Sequence, residues 1–262
     1  MKTFSTHPPI ILAFSAHDPS GAAGIQADIE SINRNGARCV SVLTALTAQN
    51  TGAFESLLPQ QPENFIQQAR LLLADIPVAA FKIGLIGSAD LVDVIADIVA
   101  QYPDLPVVLD PVLHAGVGTG LATAAMINRL MQRLIPLTTV LTPNLKEAQR
   151  LSGEADRDAA AAVLLDRGCR NVLITGADEQ TDRVINTLYR ADTEPVHFDW
   201  DRLPGVYHGS GCTLAAAIAA QLAQHNDVVK VVTTAQQYCW QTLAHGYPIG
   251  KHQQHPDRDF QE

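Results

Sequence analysis

Among the 262 residues there are no cysteines at C-x-x-C spacing, no apolar stretch approaching the length of a membrane span, and no internal repeat or composition break that would mark a linker. Cys39, Cys169, Cys212 and Cys239 are too scattered for a zinc knuckle and too sparse for a disulfide framework, so a reducing, cytoplasmic setting is expected. The apolar run at residues 10–14 is too short for a signal core or a span, and Asp18 follows it closely. Positive charge is scarce as well. The 18 Lys and Arg face 27 Asp and Glu, a net charge of -9 that repels nucleic acid and anionic membranes at long range, so neither is an expected partner. A chain this acidic holds a polyphosphate only through a local device: backbone N–H groups, a few cations or a metal ion. With 47% hydrophobic and 17% charged residues, the composition is that of a globular protein long enough to bury a full core in one large domain.

What is present centres on His208-Gly209-Ser210-Gly211-Cys212-Thr213, which leads into an apolar helical run at residues 214–223. The first N–H groups of a helix lack intrahelical partners and the macrodipole adds partial positive charge there, so a glycine-lined helix start can receive a phosphate or a developing oxyanion. Cys212 stands at that start. The same dipole is expected to lower its thiol pKa and make it a base or nucleophile, whereas a free cysteine elsewhere is usually a small core hydrophobe.

In chain order, residues 10–16 read as a buried parallel strand running into the turn His17-Asp18-Pro19-Ser20-Gly21. Ile25, Ile29 and Ile32 have helical spacing up to Gly36, and Asp28 on the flank of that stripe is expected to be half-buried, or else simply solvated. Residues 39–46 form a second strand, with Gln49 and Asn50 in a polar loop at its carboxyl end, where they are either ligand contacts or turn formers. Helix is expected at 62–75 and 89–102, strand at 79–86 and 107–112, the latter carrying Asp110-Pro111 in a position suited to magnesium or phosphate chemistry or to a turn. The glycine-rich loop at 114–120 is expected to be mobile. A short strand at 139–141 precedes Asn144 and Glu147, which together read as a helix cap. A helix at 158–167, a strand at 171–175, a hairpin at 183–190 and 196–200, and a last helix from Asn226 with Val228, Val232, Ala235, Cys239 and Leu243 inward complete the pattern. The tail from Lys251 is expected to be polar and frayed. Alternating strands and helices predict one α/β domain with a mostly parallel sheet.

Six blocks occur in a fixed order: Ser20-Gly21-Ala22-Ala23-Gly24-Ile25-Gln26-Ala27-Asp28, Thr44-Ala45-Leu46-Thr47-Ala48-Gln49-Asn50-Thr51, Lys82-Ile83-Gly84, Leu109-Asp110-Pro111-Val112, Thr142-Pro143-Asn144 with Glu147, and the 208–213 stretch. Over residues 10–250 they resemble the hydroxymethylpyrimidine/phosphomethylpyrimidine kinases of thiamine biosynthesis, which have the ribokinase-like fold. The resemblance implies a single three-layer α/β/α domain at residues 1–250 without the lid of sugar kinases, followed by a polar tail at 251–262. It implies phosphorylation of 4-amino-5-hydroxymethyl-2-methylpyrimidine and then of its monophosphate, with ATP and magnesium, by a homodimer. Pyrimidine contacts carry over to Ala16, Asp28, Gln49, Leu85, Val112 and Cys212, and catalysis to Cys212 with the amides of Gly209, Ser210 and Gly211. Nucleotide and phosphate contacts carry over to Asp110, Asn144, Glu147, Thr175, Gly176, Gly209 and Gly211, and magnesium to Asp110 and Glu147. The chain departs from the family pattern at Ala22 for glycine, Ser210 for threonine and Leu85 for methionine. It also has Thr175-Gly176-Ala177-Asp178 where a lysine and Gly-Gly-His are common, and lacks Lys-Ser-Gly after Val112. A pyridoxal kinase of the same fold and a pyrimidine-binding protein with reduced catalysis are the alternatives.

Overall fold

The strand Ile10–His17 (β1) is apolar throughout because both of its faces are covered: Leu12 and Phe14 enter one core, Ile11 and Ala13 the other. The computed structural model describes residues 7–114 and 120–261. After β1 come the helix Gly24–Arg34 (α1), the strands Arg38–Gln49 (β2) and Phe54–Pro59 (β3), the helix Pro62–Asp75 (α2), the strand Val78–Ile83 (β4) and the helix Ala89–Val99 (α3). The strand Val107–Leu109 (β5) leads to the helix Ala124–Arg129 (α4), which continues through a π turn at Leu130–Leu134 and a 3-10 turn at Ile135–Leu137. Then follow Val140–Leu141 (β6), Leu145–Ser152 (α5), Arg157–Asp166 (α6), Asn171–Ile174 (β7), Arg183–Arg190 (β8) and Val196–Asp201 (β9). The chain closes with Ser210–Leu222 (α7), Val228–Ala244 (α8) and the short strands Tyr247–Pro248 (β10) and Gln254–His255 (β11).

One nine-stranded sheet has the order β3-β2-β1-β4-β5-β6-β7-β8-β9, parallel from β2 to β7 with antiparallel strands at both edges. One face is packed by α2 to α6 around Phe65, Leu91, Ile95, Leu134 and Leu164, the other by α1, α7 and α8 around Ile32, Ile218 and Val232. This is the three-layer architecture expected. Helix α7 is the central helix of its layer, and Ala215, Ala216, Ala217, Ala219 and Ala220 are all fully buried. Such small side chains let a helix axis lie close to its neighbours, which brings the start of α7 down onto the strand ends.

Several expectations are corrected. Strand β2 does not stop at Leu46: it runs on to Gln49 because β3 pairs with it, Ala48 opposite Ser56 and Gln49 opposite Phe54. Helix α7 begins at Ser210 rather than at 214. The loop expected at 114–120 lies outside the described residues except for its ends, His114 and Gly120, which bridge one another. The tail is not frayed: β11 pairs with β10, His255 is buried, and Arg258 is only 3% exposed.

Candidate active site

From β1 the chain builds outward first through β2 and β3 and then, in the opposite direction, from β4 to β9. The connections leaving the carboxyl ends of β1 and β4 therefore diverge, and such a switch point opens a crevice. A cavity of about 880 Å³ lies there. Ala16, Gln49, Leu85, Asp110, Val112, Asn144, Glu147, Thr175 and Gly209 to Cys212 all line it, so strand ends scattered over the sequence converge on the start of α7.

The helix start is built by two turns in contact. Gly209 caps α7 with φ of +84°, a left-handed conformation, and a Cβ on it would fall 1.8 Å from the carbonyl oxygen of Ala22. No side chain caps α7, so its first N–H groups are directed at the cavity. The opposing turn is held by Asp18, which accepts from Ser20 N at 2.9 Å and Ala23 N at 3.0 Å and stands 3.2 Å from His208 Nε2. Burial alone would raise the pKa of Asp18, but the bonds from His208 and Ser20 outweigh it and hold the group at about 2.

Beneath the helix start lies a buried charge cluster. Lys82 Nζ is 2.7 Å from Asp28 Oδ1 and donates to Oδ2 at 3.0 Å, with both side chains fully buried. One ammonium serves two acids. Burial raises the pKa of Asp28 and of Asp110, and although burial alone would lower Lys82, Asp28, Cys212 and Asp110 together hold it above its ordinary value. Asp28 is therefore neither solvated nor half-buried, and it does not line the cavity; it sits one layer behind the wall.

Cys212 does face the cavity, half-buried, beside the charges of Asp110, Lys82 and Asp28. Its thiol is not lowered. Burial, then the Asp110 carboxylate, push it up to about 12, against a smaller lowering influence from Lys82. The expectation from the helix dipole is overturned by neighbours that the local sequence does not contain.

Asn144 and Glu147 form a complete capping box: Asn144 Oδ1 accepts from Glu147 N at 2.9 Å, and Glu147 Oε2 from Asn144 N at 3.0 Å. Leu113 N donates to Glu147 Oε1 at 3.2 Å. Burial and then Asp110 push Glu147 up to about 8, and Asp110 Oδ2 is buried with no hydrogen-bond partner. Two buried acids, of which Asp110 raises Glu147 and keeps a spare oxygen, fit a single divalent cation. Among the described residues no three His, Cys, Asp or Glu side chains form a metal cluster. One or two carboxylates completed by phosphate oxygens and water is the usual setting of magnesium rather than of zinc.

The far end of the cavity holds residues that the sequence reading missed. Asn186 donates to Gln236 Oε1 at 2.7 Å, Trp200 Nε1 donates to the same oxygen at 3.1 Å, and Asn186 Oδ1 accepts from Gly176 N at 2.9 Å. Asn186, Trp200, Gln236 and Trp240 line the wall; Gly176 does not, though Thr175 beside it does. A buried glutamine next to Ala235 in the inward stripe of α8 was the available signal.

A family described as phosphomethylpyrimidine kinase matches residues 18–257. A hydroxymethylpyrimidine/phosphomethylpyrimidine kinase of Streptomyces coelicolor is 36% identical over 93% of this chain and 91% of its own length. One of Escherichia coli is 32% identical over 89% and 90%. Among solved structures, a phosphomethylpyrimidine kinase from Clostridium difficile matches with a TM-score of 0.77 and 28% identity, covering 90% of this chain and 99% of that one. A pyridoxal kinase from Staphylococcus aureus in complex with ADP matches with a TM-score of 0.88 over 96% of this chain and 93% of that one, but at 24% identity the likeness concerns the fold alone.

Proposed function

The chain belongs to the phosphomethylpyrimidine kinase family, and on that premise we propose that it phosphorylates 4-amino-5-hydroxymethyl-2-methylpyrimidine and its monophosphate from ATP, giving the pyrophosphate used in thiamine assembly. The observation that carries this reading is the convergence of Ala16, Gln49, Leu85, Val112 and Cys212 on one cavity beside an uncapped helix start. Gln49 offers both a donor and an acceptor to a heteroaromatic edge, while Ala16, Leu85 and Val112 supply apolar surface for the ring. Asp28 acts from behind this wall through Lys82 and the cluster around it. The nucleotide takes the other arm of the cavity, past Asn144 and Thr175 toward Trp200 and Gln236.

Phosphoryl transfer leaves a protein little covalent work, so positioning and charge stabilisation carry it. The amides of Ser210, Gly211 and Cys212 meet the transferring phosphoryl oxygens, and the low-dielectric setting strengthens each contact. Cys212 keeps its own proton in the free protein. Its sulfur therefore accepts a hydrogen bond from the substrate hydroxyl and aligns that oxygen, whose proton passes late in transfer to a phosphoryl oxygen. Asp110 and Glu147 would hold magnesium, which when bound neutralises phosphate charge. Thr175 stands where a lysine is common, so the helix start carries a larger share of phosphate binding.

We further propose a homodimer: Leu46 and Leu58 lie opposite one another on β2 and β3 and are 39% and 63% exposed, an apolar edge suited to a second copy. The four free cysteines suit a reducing cytoplasm, and among the described residues no helix is long and apolar enough to cross a membrane. The test is a coupled ADP-release assay with magnesium and, as separate substrates, the pyrimidine, its monophosphate and pyridoxal. Turnover of either pyrimidine above pyridoxal is expected; ADP release with pyridoxal alone would replace the reading with a pyridoxal kinase.

A further inference from the structure

The chain after α8 is a strap rather than a tail. Its backbone is tied in turn to the β2–β3 turn (Gln253 N to Thr51 O, 3.1 Å), to the segment before α7 (Gln254 N to Val206 O, 2.8 Å, and His208 N to Gln254 O, 3.0 Å) and to α8 (Asp257 N to Thr242 O, 2.9 Å). Beyond that point Arg34 Nη2 binds Phe260 O at 2.7 Å, and the Phe260 ring stacks on His245 at 5.2 Å. Between Asp257 and Phe260 the Arg258 side chain is driven into the protein, only 3% exposed.

We infer that Arg258 is a positioning residue for the phosphate-binding helix start, an inference that rests on the function proposed above. Its guanidinium fork is shared among both turns that form that start. Nε donates to Thr213 Oγ1 at 2.9 Å, and Thr213 Oγ1 in turn donates to Gly209 O at 2.9 Å, the carbonyl of the α7 cap. Nη2 donates to Ala22 O and Nη1 to Gly21 O at 3.5 Å, both in the opposing turn, while Nη1 also meets Glu30 Oε2 at 3.0 Å. A Cβ on Gly209 would lie 2.9 Å from Nη2, so the guanidinium is packed against the cap residue itself. The two turns touch at Gly209 and Ala22, and Arg258 fastens them from behind on either side of that contact. A planar fork with five fixed donors suits this task and a lysine does not, since one ammonium has no such spread. Arg258 also sets a guanidinium charge behind the helix start. It reaches the substrate only through the backbone it holds.

The test uses the full chain with Arg258→Ala and Arg258→Lys. A misplacement of about 1 Å in a catalytic group costs on the order of 10²-fold, so kcat for the pyrimidine should fall between about tenfold and about 10²-fold, with KM within about threefold. Arg258→Lys should not restore kcat, and millimolar guanidinium should partly restore Arg258→Ala. Amide hydrogen exchange at Ser210 to Thr213 and Gly21 to Ala23 should accelerate in both variants, whatever the substrate. Near-normal kcat would overturn the inference, and so would a fall in kcat with unchanged exchange at these amides and no response to guanidinium, which would leave Arg258 a purely structural residue. Should Arg258→Ala not fold, Arg258→Lys carries the kcat and exchange readings alone. If the wild-type protein turned over none of the substrates, the proposed function would fail while the exchange measurement still judged Arg258.

Discussion

Lys82→Met is the most informative perturbation of the scaffold, because it removes the cation of the buried pair while keeping an unbranched side chain of similar reach. The Asp28 carboxylate, fully buried and 2.7 Å from the ammonium, is then left uncompensated. Breaking such a pair costs about 3–5 kcal/mol. Proton uptake sets a ceiling on that loss: a buried carboxylate neutralises rather than remain charged, at about 1.4 kcal/mol for each pH unit above its unfolded pKa. With an ordinary value of 3.8 for Asp28, the ceiling at pH 7 is about 4 kcal/mol and at pH 5 about 2 kcal/mol. The sign follows from linkage. In the variant the native state holds a proton that the unfolded chain has lost, so the variant is least penalised below pH 4 and loses stability as the pH rises toward the new folded pKa. Urea denaturation read through Trp200 and Trp240 fluorescence at pH 5, 6 and 7 should show a loss that grows with pH, by at most about 1.4 kcal/mol per unit. Asp28→Asn combined with Lys82→Met should recover most of the stability and remove the pH dependence. A loss below about 1 kcal/mol at pH 7, or one that does not change with pH, would refute the reasoning.

Gln49→Ala should weaken pyrimidine binding about tenfold or more by calorimetry, for the loss of one bond to a buried polar group at about 1–3 kcal/mol, with ATP affinity unchanged; equal affinity would remove Gln49 from the site. Cys212→Ala should lower kcat about tenfold with little change in KM, and iodoacetamide should label Cys212 of the free protein more slowly than a free thiol at pH 8, because its pKa stands near 12. Fast labelling would restore the thiolate. Asp18 has a folded pKa of about 2 against 3.8, so its contribution of about 2 kcal/mol is present above pH 4 and is lost as the pH falls through 2. Asp18→Asn should therefore cost that amount at pH 6 and little at pH 2, and acid-unfolding curves of the two proteins that never converge would exclude this assignment.

The layers were legible because a parallel strand covered on both faces has an unmistakable pattern, as in residues 10–16, and because the helical stripe at Ile25 and Ile32 ends at a glycine. Edge features were not. Phe54–Pro59 is a strand only because β2 offers a partner, and its Phe-Glu-Ser-Leu-Leu-Pro carries no alternation of its own. The tail looked frayed for a similar reason: it is polar in sequence, yet its polar groups are spent on specific backbone partners, from Thr51 to Thr242. The capping box of Asn144 and Glu147 was legible because both partners lie within one turn. The Asn186–Gln236 pair, 50 residues apart, was not.

The same separation of scales explains the thiol. A helix start favours an anion by about 0.3–1 kcal/mol, and by about 2 kcal/mol when partly buried. That contribution is visible in Gly209-Ser210-Gly211-Cys212. The opposing contributions, burial and the carboxylates of Asp110 and Asp28, arrive from strands and helices far along the chain and raise the thiol from 9.0 to about 12, equivalent to about 4 kcal/mol. The larger effect wins, and it is the one that only the fold assembles. The residue that sequence marks as a nucleophile is thus held protonated in the free protein, and on the function proposed above the backbone amides of α7, rather than a thiolate, serve the transferring phosphoryl group.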